Sequence, residues 1–406
     1  MAALTIVRVL FCGQGMTNLV EVYDDGVEKA AADWLALVDC GGNTSWGAYA
    51  VAHVVAKVKA RTPKRLDCIV VSHQDDDHIA LLKQLGPELK KLKATVGLFY
   101  AGGLQWSSAS DTIVHDFLDT VGYPRKNVLQ DGAGAVSDYV GAKKRSELTA
   151  IASHGDTSLR RLMTNVNLTS GPPDIKRNAS STVVAVDNGT NVVLLPGDAT
   201  YETMSQIYGL PAAAKKLVLP VFATGIPHHG ALRTAVENYV ASKDPKTFGY
   251  AIVDAFASLI GSQRAAASAG PYNGHKHPIQ EVLMRFYSKL TGAPQHTYVS
   301  YIFQRSNGAT HDGWTTWDSK HALDCTVVSI GEHASGPNKR VAVTSKGVPK
   351  GPFVFGDIKY LLAATGVLRP EEMVEFVPRG TFGPGAFGPG AFGDVADEGV
   401  VYAPAP

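Results

Sequence analysis

The densest concentration of chemistry-bearing side chains is His73-Gln74-Asp75-Asp76-Asp77-His78. Two imidazoles and three carboxylates fall within six residues, directly after the apolar run 68–71. Imidazole nitrogen and carboxylate oxygen are the donors that zinc, manganese and iron take. On a loop leaving a strand, His73 and Asp75 can reach one ion while Asp77 and His78, facing the other way, reach a second. The plain alternative is a solvated acidic loop that caps the next helix, and two histidines at this spacing weigh against it. Three later segments carry compatible groups. Asp198, in Leu-Leu-Pro-Gly-Asp-Ala-Thr, follows a strand and can bridge two ions, although alone it is a common Gly-Asp turn. Pro227-His228-His229-Gly230 sets two histidines pointing different ways on an extended loop, a pair that in isolation reads as surface. His275 and His277, in Gly-His-Lys-His-Pro, stand before an amphipathic helix, where backbone N–H groups bind anions and lower a histidine's pKa. Their plain alternative is a solvated helix-entry turn.

These groups lie at the ends of apolar runs. Residues 4–11, 34–38, 68–71, 192–195, 217–222 and 248–253 are rich in Leu and β-branched side chains, the composition of buried strands. Polar clusters on loops at strand ends are what an α/β catalytic scaffold shows. Helical spacing appears over 46–60, from Ile79 with an interruption near Gly86-Pro87, over 279–290 and near 357–364. The 406 residues suit one large α/β domain with appendages. We divide them into a main α/β domain at 1–335, a small C-terminal extension at 336–378 and a flexible tail at 379–406. In that tail Phe-Gly-Pro-Gly-Ala repeats at Phe382 and Phe387, a low-complexity pattern expected to be disordered.

The net charge of +1 neither favours nor excludes nucleic acid, since a nuclease needs only a local basic groove. Cys12, Cys40, Cys68 and Cys325 form no Cys-x-x-Cys pair, which argues against a thiolate zinc site. The first three sit in apolar stretches and read as core residues of a protein in a reducing compartment. No 18-residue apolar window and no basic leader is present, so the expectation is a cytoplasmic protein without a membrane partner.

Taken in order, His73-x-Asp75-x-Asp77-His78, Gly-Asp198-Ala and His228-His229-Gly-Ala resemble the metallo-β-lactamase superfamily. Asp75 changes the usual HxHxDH motif to HxDxDH, a form similar to the hydrolase domain of ComEC-type DNA-uptake proteins and their stand-alone relatives. Gly13-Gln14-Gly15, Val38-Asp39-Cys40-Gly41-Gly42, the Asn178 to Val183 segment and His277-Pro278 resemble further pieces of that pattern. The resemblance covers residues 4–305. Met16 stands where the family often has Asp, and neither His115 nor His154 has the context of the usual third ligand.

The resemblance implies a four-layer αββα sandwich and two divalent ions, Zn or Mn with Mg as a further option. It implies His73, Asp75, Asp77, His78, Asp198 and His229 as ligands, and hydrolysis by a hydroxide bridging the two ions. Asp77, His228 and His277 become the catalytic candidates, and Asp39 the group that orients a ligand histidine from behind. Asn178 and His275 are placed beside loop or substrate. Three carboxylates harden the donor set, which favours Mn alongside Zn and suits phosphate substrates. Lys176 and Arg177 could line a nucleic-acid backbone. The leading expectation is a phosphodiesterase or nuclease acting on DNA or RNA. The alternatives are a hydrolase of small esters, lactones or β-lactams, and a partner-regulated sensing or assembly module. A free nuclease must be restrained, so a bacterial defence or toxin effector with a protein regulator fits by analogy.

Overall fold

Period-two alternation along the first strands decides the layering. The structure is a computed structural model that describes residues 3–42, 44–104, 106–132, 136–137, 147–169, 171–210, 221–234, 250–268, 280–291, 300–304, 310–313, 317–318, 340–344, 353–363 and 374–382. β1 (Leu4–Val9), β2 (Thr17–Tyr23) and β3 (Trp34–Cys40) form an antiparallel meander. There follow α1 (Thr44–Ala60), β4 (Arg65–Val71), the single turn α2 (Asp76–Ile79), α3 (Leu82–Leu92), β5 (Thr95–Ala101) and α4 (Ser108–Val121). β3, β4 and β5 run parallel, as strands joined by helical crossovers do. Ile6, Leu19, Leu37, Ile69 and Val71 face the helices, against Val54 and Val58 of α1, Leu85 and Leu89 of α3 and Phe117 of α4. Their neighbours Val7, Val20, Val38 and Val70 face the opposite way. Every residue of β1, β2 and β3 is buried, as a sheet covered on both faces requires.

The second half repeats the scheme. It contains β6 (Val136–Ser137), β7 (Ala150–His154), β8 (Thr157–Thr164), α5 (Pro173–Ala179), β9 (Val183–Asp187), β10 (Val192–Leu195), α6 (Tyr201–Gly209), β11 (Val221–Gly225), α7 (Ala251–Ile260), β12 (Arg264–Ala267) and α8 (Gln280–Tyr287). Six strands complete the described chain: β13 (Ser300–Gln304), β14 (Thr310–Gly313), β15 (Trp317–Asp318), β16 (Arg340–Thr344), β17 (Phe353–Ala363) and β18 (Val374–Phe382). The first sheet has the order β18-β17-β1-β2-β3-β4-β5. The second has the order β15-β12-β11-β10-β9-β8-β6, with β7 also paired to β8, and β14-β13-β16 form a small third sheet. Val184, Val186, Val193, Leu195 and Phe222 of the second sheet meet Val7, Val20 and Val38 of the first. Val183, Ala185, Val192 and Leu194 face Met204 and Ile207 of α6, Phe256 of α7 and Leu283 and Phe286 of α8. Three apolar seams therefore separate four layers, an αββα sandwich. Each fully buried aliphatic side chain contributes roughly 1.5–3 kcal/mol relative to exposure, so these seams are the main source of stability.

Several local expectations are corrected. Residues 357–363, expected to be helical, are strand: β17 pairs with β1 from Leu4↔Ala363 to Val9↔Ile358 and with β18 on its other side. A short apolar run fits either period, and here the otherwise open edge of β1 selects the strand. β18 reaches Phe382, the first phenylalanine of the repeat, and residues 383–406 lie outside the described chain. Of the run 248–253, residues 248 and 249 lie outside the described residues, and the rest is not a strand: α7 starts at Ala251 and buries Val253, Phe256, Ala257 and Ile260 at helical spacing. α3 continues through Pro87, where burial of Leu82, Leu85 and Leu89 outweighs the loss of one N–H donor. His154 lies at the β7–β8 hairpin. Among the described residues, no helix is long and apolar enough to cross a membrane.

Candidate metal centre

The loops leaving β3, β4, β10, β11 and β12 meet at one edge of the sandwich. Asp39, at the end of β3, adopts a left-handed backbone (φ 61°) and is fully buried. Its Oδ1 accepts from the Ser72 backbone N–H at 2.6 Å. Its Oδ2 accepts from the Ser72 hydroxyl at 2.9 Å and faces His78 Nδ1 at 2.9 Å. That contact points His78 Nε2 at Asp198 Oδ1, 2.9 Å away. Asp39 thus positions His78 from behind.

Glycines let the neighbouring loops close on this segment. A Cβ on Gly41 would stand 2.0 Å from the Asp77 carbonyl oxygen, and one on Gly15 2.7 Å from the same atom. In that space Met16 N–H donates to Asp77 O at 2.9 Å. Gln74 ties the His73–His78 loop to the start of α4: its side chain donates to Leu104 O and accepts from Ser107 N–H, both at 2.5 Å. The Ser107 hydroxyl in turn caps α4 by accepting from Ser110 N–H.

Pro227-His228-His229-Gly230 is a tight turn, not the extended loop expected. His228 (φ 48°, ψ 50°) and His229 (φ 51°, ψ 18°) are both left-handed, a conformation costing about 1–3 kcal/mol per non-glycine residue. Tertiary bonds hold it. His228 N–H donates to Gly197 O at 3.0 Å, and His229 Nδ1–H donates to Ser268 O at 2.7 Å. The Ser268 hydroxyl donates onward to Gly15 O at 2.7 Å. His229 Nε2 then lies 3.3 Å from Asp77 Oδ2 and 3.4 Å from Asp198 Oδ1. The other Asp198 oxygen, Oδ2, faces His228 Nε2 at 3.5 Å and His73 Nε2 at 3.8 Å.

Donor atoms of Asp77, His78, Asp198 and His229 all lie within 4.8 Å of one another. Both histidines have Nδ1 engaged and turn Nε2 inward, the tautomer that offers a lone pair to an ion. His73 Nε2 is buried and makes no hydrogen bond, which in a packed interior points to a missing ligand. These residues fit a divalent ion. Without an ion, the surrounding carboxylates favour protonated rings at His78 and His229, positive charge that a bound cation would replace. Burial opposes the charge on His78, yet Asp198 and Asp39 hold its pKa well above the usual imidazole value. Burial also opposes ionisation of Asp198, and His228, His78 and His229 reverse that, leaving it well below the carboxylate range. Asp77 is likewise held low against burial by His229 and His78. His73 is lowered by burial and by His78, whose ring centroid is 4.2 Å away. Burial brings His228 down to about 4, although Asp198 pulls the other way.

The remaining candidates sit around this cluster. Arg177 Nε donates to Asp75 Oδ1 at 2.5 Å. The Asn178 amide bridges Asp75 Oδ2 at 2.9 Å and His228 Nε2 at 3.3 Å. Lys176 reaches Thr169 O at 3.5 Å and stands away from the cluster. His275 and His277 lie outside the described residues. His154 pairs with Asp24 at 2.9 Å and stacks on Trp34, so it supplies no third ligand. Ser72, Gln74 and Ser268 were not singled out in the sequence; Ser72 has only its adjacency to His73 as a signal, and Ser268 has none.

Comparison with known proteins places this geometry in context. A search of curated proteins finds no match. Among solved structures, the metallo-β-lactamase-fold protein YhfI from Bacillus subtilis is similar at 12% identity, over 78% of this chain and 100% of that one, with a TM-score of 0.37. A diphosphatase from the PhnP family is similar at 12% identity, over 78% and 97% of the two chains, with a TM-score of 0.35. A long-form RNase Z from yeast is similar at 12% identity, over 64% and 37%, with a TM-score of 0.32. The family model of the metallo-beta-lactamase superfamily matches residues 33–247, just over half of the sequence. That span holds Asp39, the His73–His78 loop, Asp198, His228 and His229, and the chain belongs to the metallo-β-lactamase superfamily.

Proposed function

We propose that the protein is a metal-dependent hydrolase that cleaves phosphodiester bonds in DNA or RNA. The observation that carries the proposal is the cluster of half-buried Asp77 with buried His78, Asp198 and His229, both histidine Nε2 atoms turned inward. These four residues would hold a divalent ion, and Zn or Mn suits the mixed imidazole and carboxylate set. Such an ion supplies Lewis acidity and lowers the pKa of a coordinated water. Asp198, with its two oxygens facing opposite pairs of histidines, is the group that can serve two positions at once. Asp39 and Ser268 keep the His78 and His229 rings in register. His228, held neutral near pH 7 by burial, offers a hydrogen bond to a substrate oxygen without adding charge. Arg177 is partly exposed beside Asp75, where its guanidinium can also meet a phosphate. We place the protein in the cytoplasm, where buried free thiols such as Cys12, Cys40 and Cys68 stay reduced, under the control of a protein partner.

The test is incubation of the purified chain with labelled single-stranded DNA, duplex DNA and RNA in Mn²⁺, Zn²⁺, Mg²⁺ or EDTA. Asp77→Ala with His78→Ala runs alongside. Cleavage that needs metal and vanishes in the double variant is expected. Absence of cleavage of every polymer, with the metal bound, would overturn the nucleic-acid substrate and turn the search to small esters and lactones.

A further inference from the structure

We infer that the two ion positions of this centre are unequal in affinity, and that Arg177 sets the difference by occupying Asp75. The inference rests on the metal-dependent reading above. One position has a complete donor set in Asp77, His78, Asp198 and His229. The other begins from His73 Nε2, buried and without a hydrogen bond. Asp75 Oδ2 and Asp198 Oδ2 each lie 3.8 Å from it, a separation that an ion between them would explain.

Asp75 is already engaged on both oxygens. Arg177 Nε donates to Oδ1 at 2.5 Å, and the Asn178 amide donates to Oδ2 at 2.9 Å. Both partners come from α5, which buried Ile175 and Ala179 hold against the body of the protein. The two side chains of the ion pair are only 27% and 22% exposed, so water screens their attraction less than it would at the surface. The guanidinium stays charged at every relevant pH and has no lone pair to give an ion. An incoming cation must therefore displace Arg177 from Asp75 or accept a carboxylate whose charge is already balanced. Either route weakens this position relative to its neighbour, where no fixed cation competes among the described residues. Arg177 acts as a resident cation at the second position.

The test strips the full chain of metal and titrates it with Zn²⁺ and, separately, Mn²⁺ by calorimetry, with elemental analysis after dialysis. Wild type is expected to keep one ion and to bind a second at least about tenfold more weakly, the scale on which groups behind the ligands act. Arg177→Met should tighten the second step by about tenfold or more and leave the first within about twofold, since the first ion's ligands do not contact Arg177. Asp75→Asn should remove the second step and keep the first. Thermal unfolding of each metal-free variant confirms that it folds. Equal affinities in wild type, or an unchanged second step in folded Arg177→Met, would overturn the role of Arg177 alone. Failure to bind any ion would overturn the metal-dependent reading with it.

Discussion

Asp39→Asn isolates the positioning of one ligand from the ligands themselves. Asparagine tolerates the left-handed backbone at this position, so the main chain has no reason to move. The amide oxygen can keep the contact from Ser72 N–H. The NH2 group then replaces the oxygen that faces His78 Nδ1 and the Ser72 hydroxyl. The hydroxyl can rotate, but the imidazole cannot. To accept from NH2, His78 must give up its Nδ1 proton and keep one on Nε2, the atom aimed at Asp198 and the cluster. Two losses follow. Folding loses a charge-assisted hydrogen bond in a buried site, worth about 1.5–3 kcal/mol. Metal affinity falls by about 10–100-fold, the range for groups that orient ligand histidines. Urea unfolding in EDTA reads the first, and competition with a chromophoric chelator reads the second. A folded Asp39→Asn protein whose metal affinity stays within about threefold of wild type would refute the claim that Asp39 orients the ligand.

Two further outcomes are expected. Glu21 is buried under Arg8, Lys57 (2.7 Å) and the Tyr23 hydroxyl; burial alone would raise its pKa, but the neighbouring His53 (3.8 Å) and the charges of Arg8 and Lys57 overcome it and hold the carboxyl below the carboxylate range. Because the folded value lies below the unfolded one, this stabilisation is present above the ordinary glutamate pKa and is lost as pH falls through the folded value. Glu21→Gln should lower the unfolding free energy by about 3–5 kcal/mol at pH 7 and flatten the acid limb of a melting-temperature series, and an acid limb as steep as that of wild type would count against the pairing. Gly41→Ala, whose Cβ would stand 2.0 Å from Asp77 O and 2.2 Å from His78 N, should cost about 1–3 kcal/mol or more in urea unfolding and reduce the metal retained on dialysis. Full metal retention would show that the loop can shift without losing its ligands.

What the sequence determined by itself follows from local rules. Unbroken apolar runs such as residues 35–38 and 192–195 specify strands buried on both faces, and polar residues placed directly after them specify a site at the strand ends. His73–His78, Asp198 and His228–His229 were grouped into one pattern by their resemblance, in that order, to the metallo-β-lactamase superfamily, and the fold brings them together because the loops after these strands open at the same edge. Where a segment fits two periods, the choice passed to tertiary structure: residues 357–363 became β17 because β1 offered an open edge, and 251–260 became α7 because its Val253, Phe256 and Ile260 stripe had the second sheet to cover. The same holds inside the site. No spacing rule links Asp75 to Arg177, 102 residues away, or His229 to the carbonyl of Ser268, 39 residues away. Nor does a His-His pair reveal the left-handed turn that aims both rings at Asp198. Residue type and order name the donors. Their tautomers, charges and partners are set by hydrogen bonds between loops that only the packed sandwich brings together.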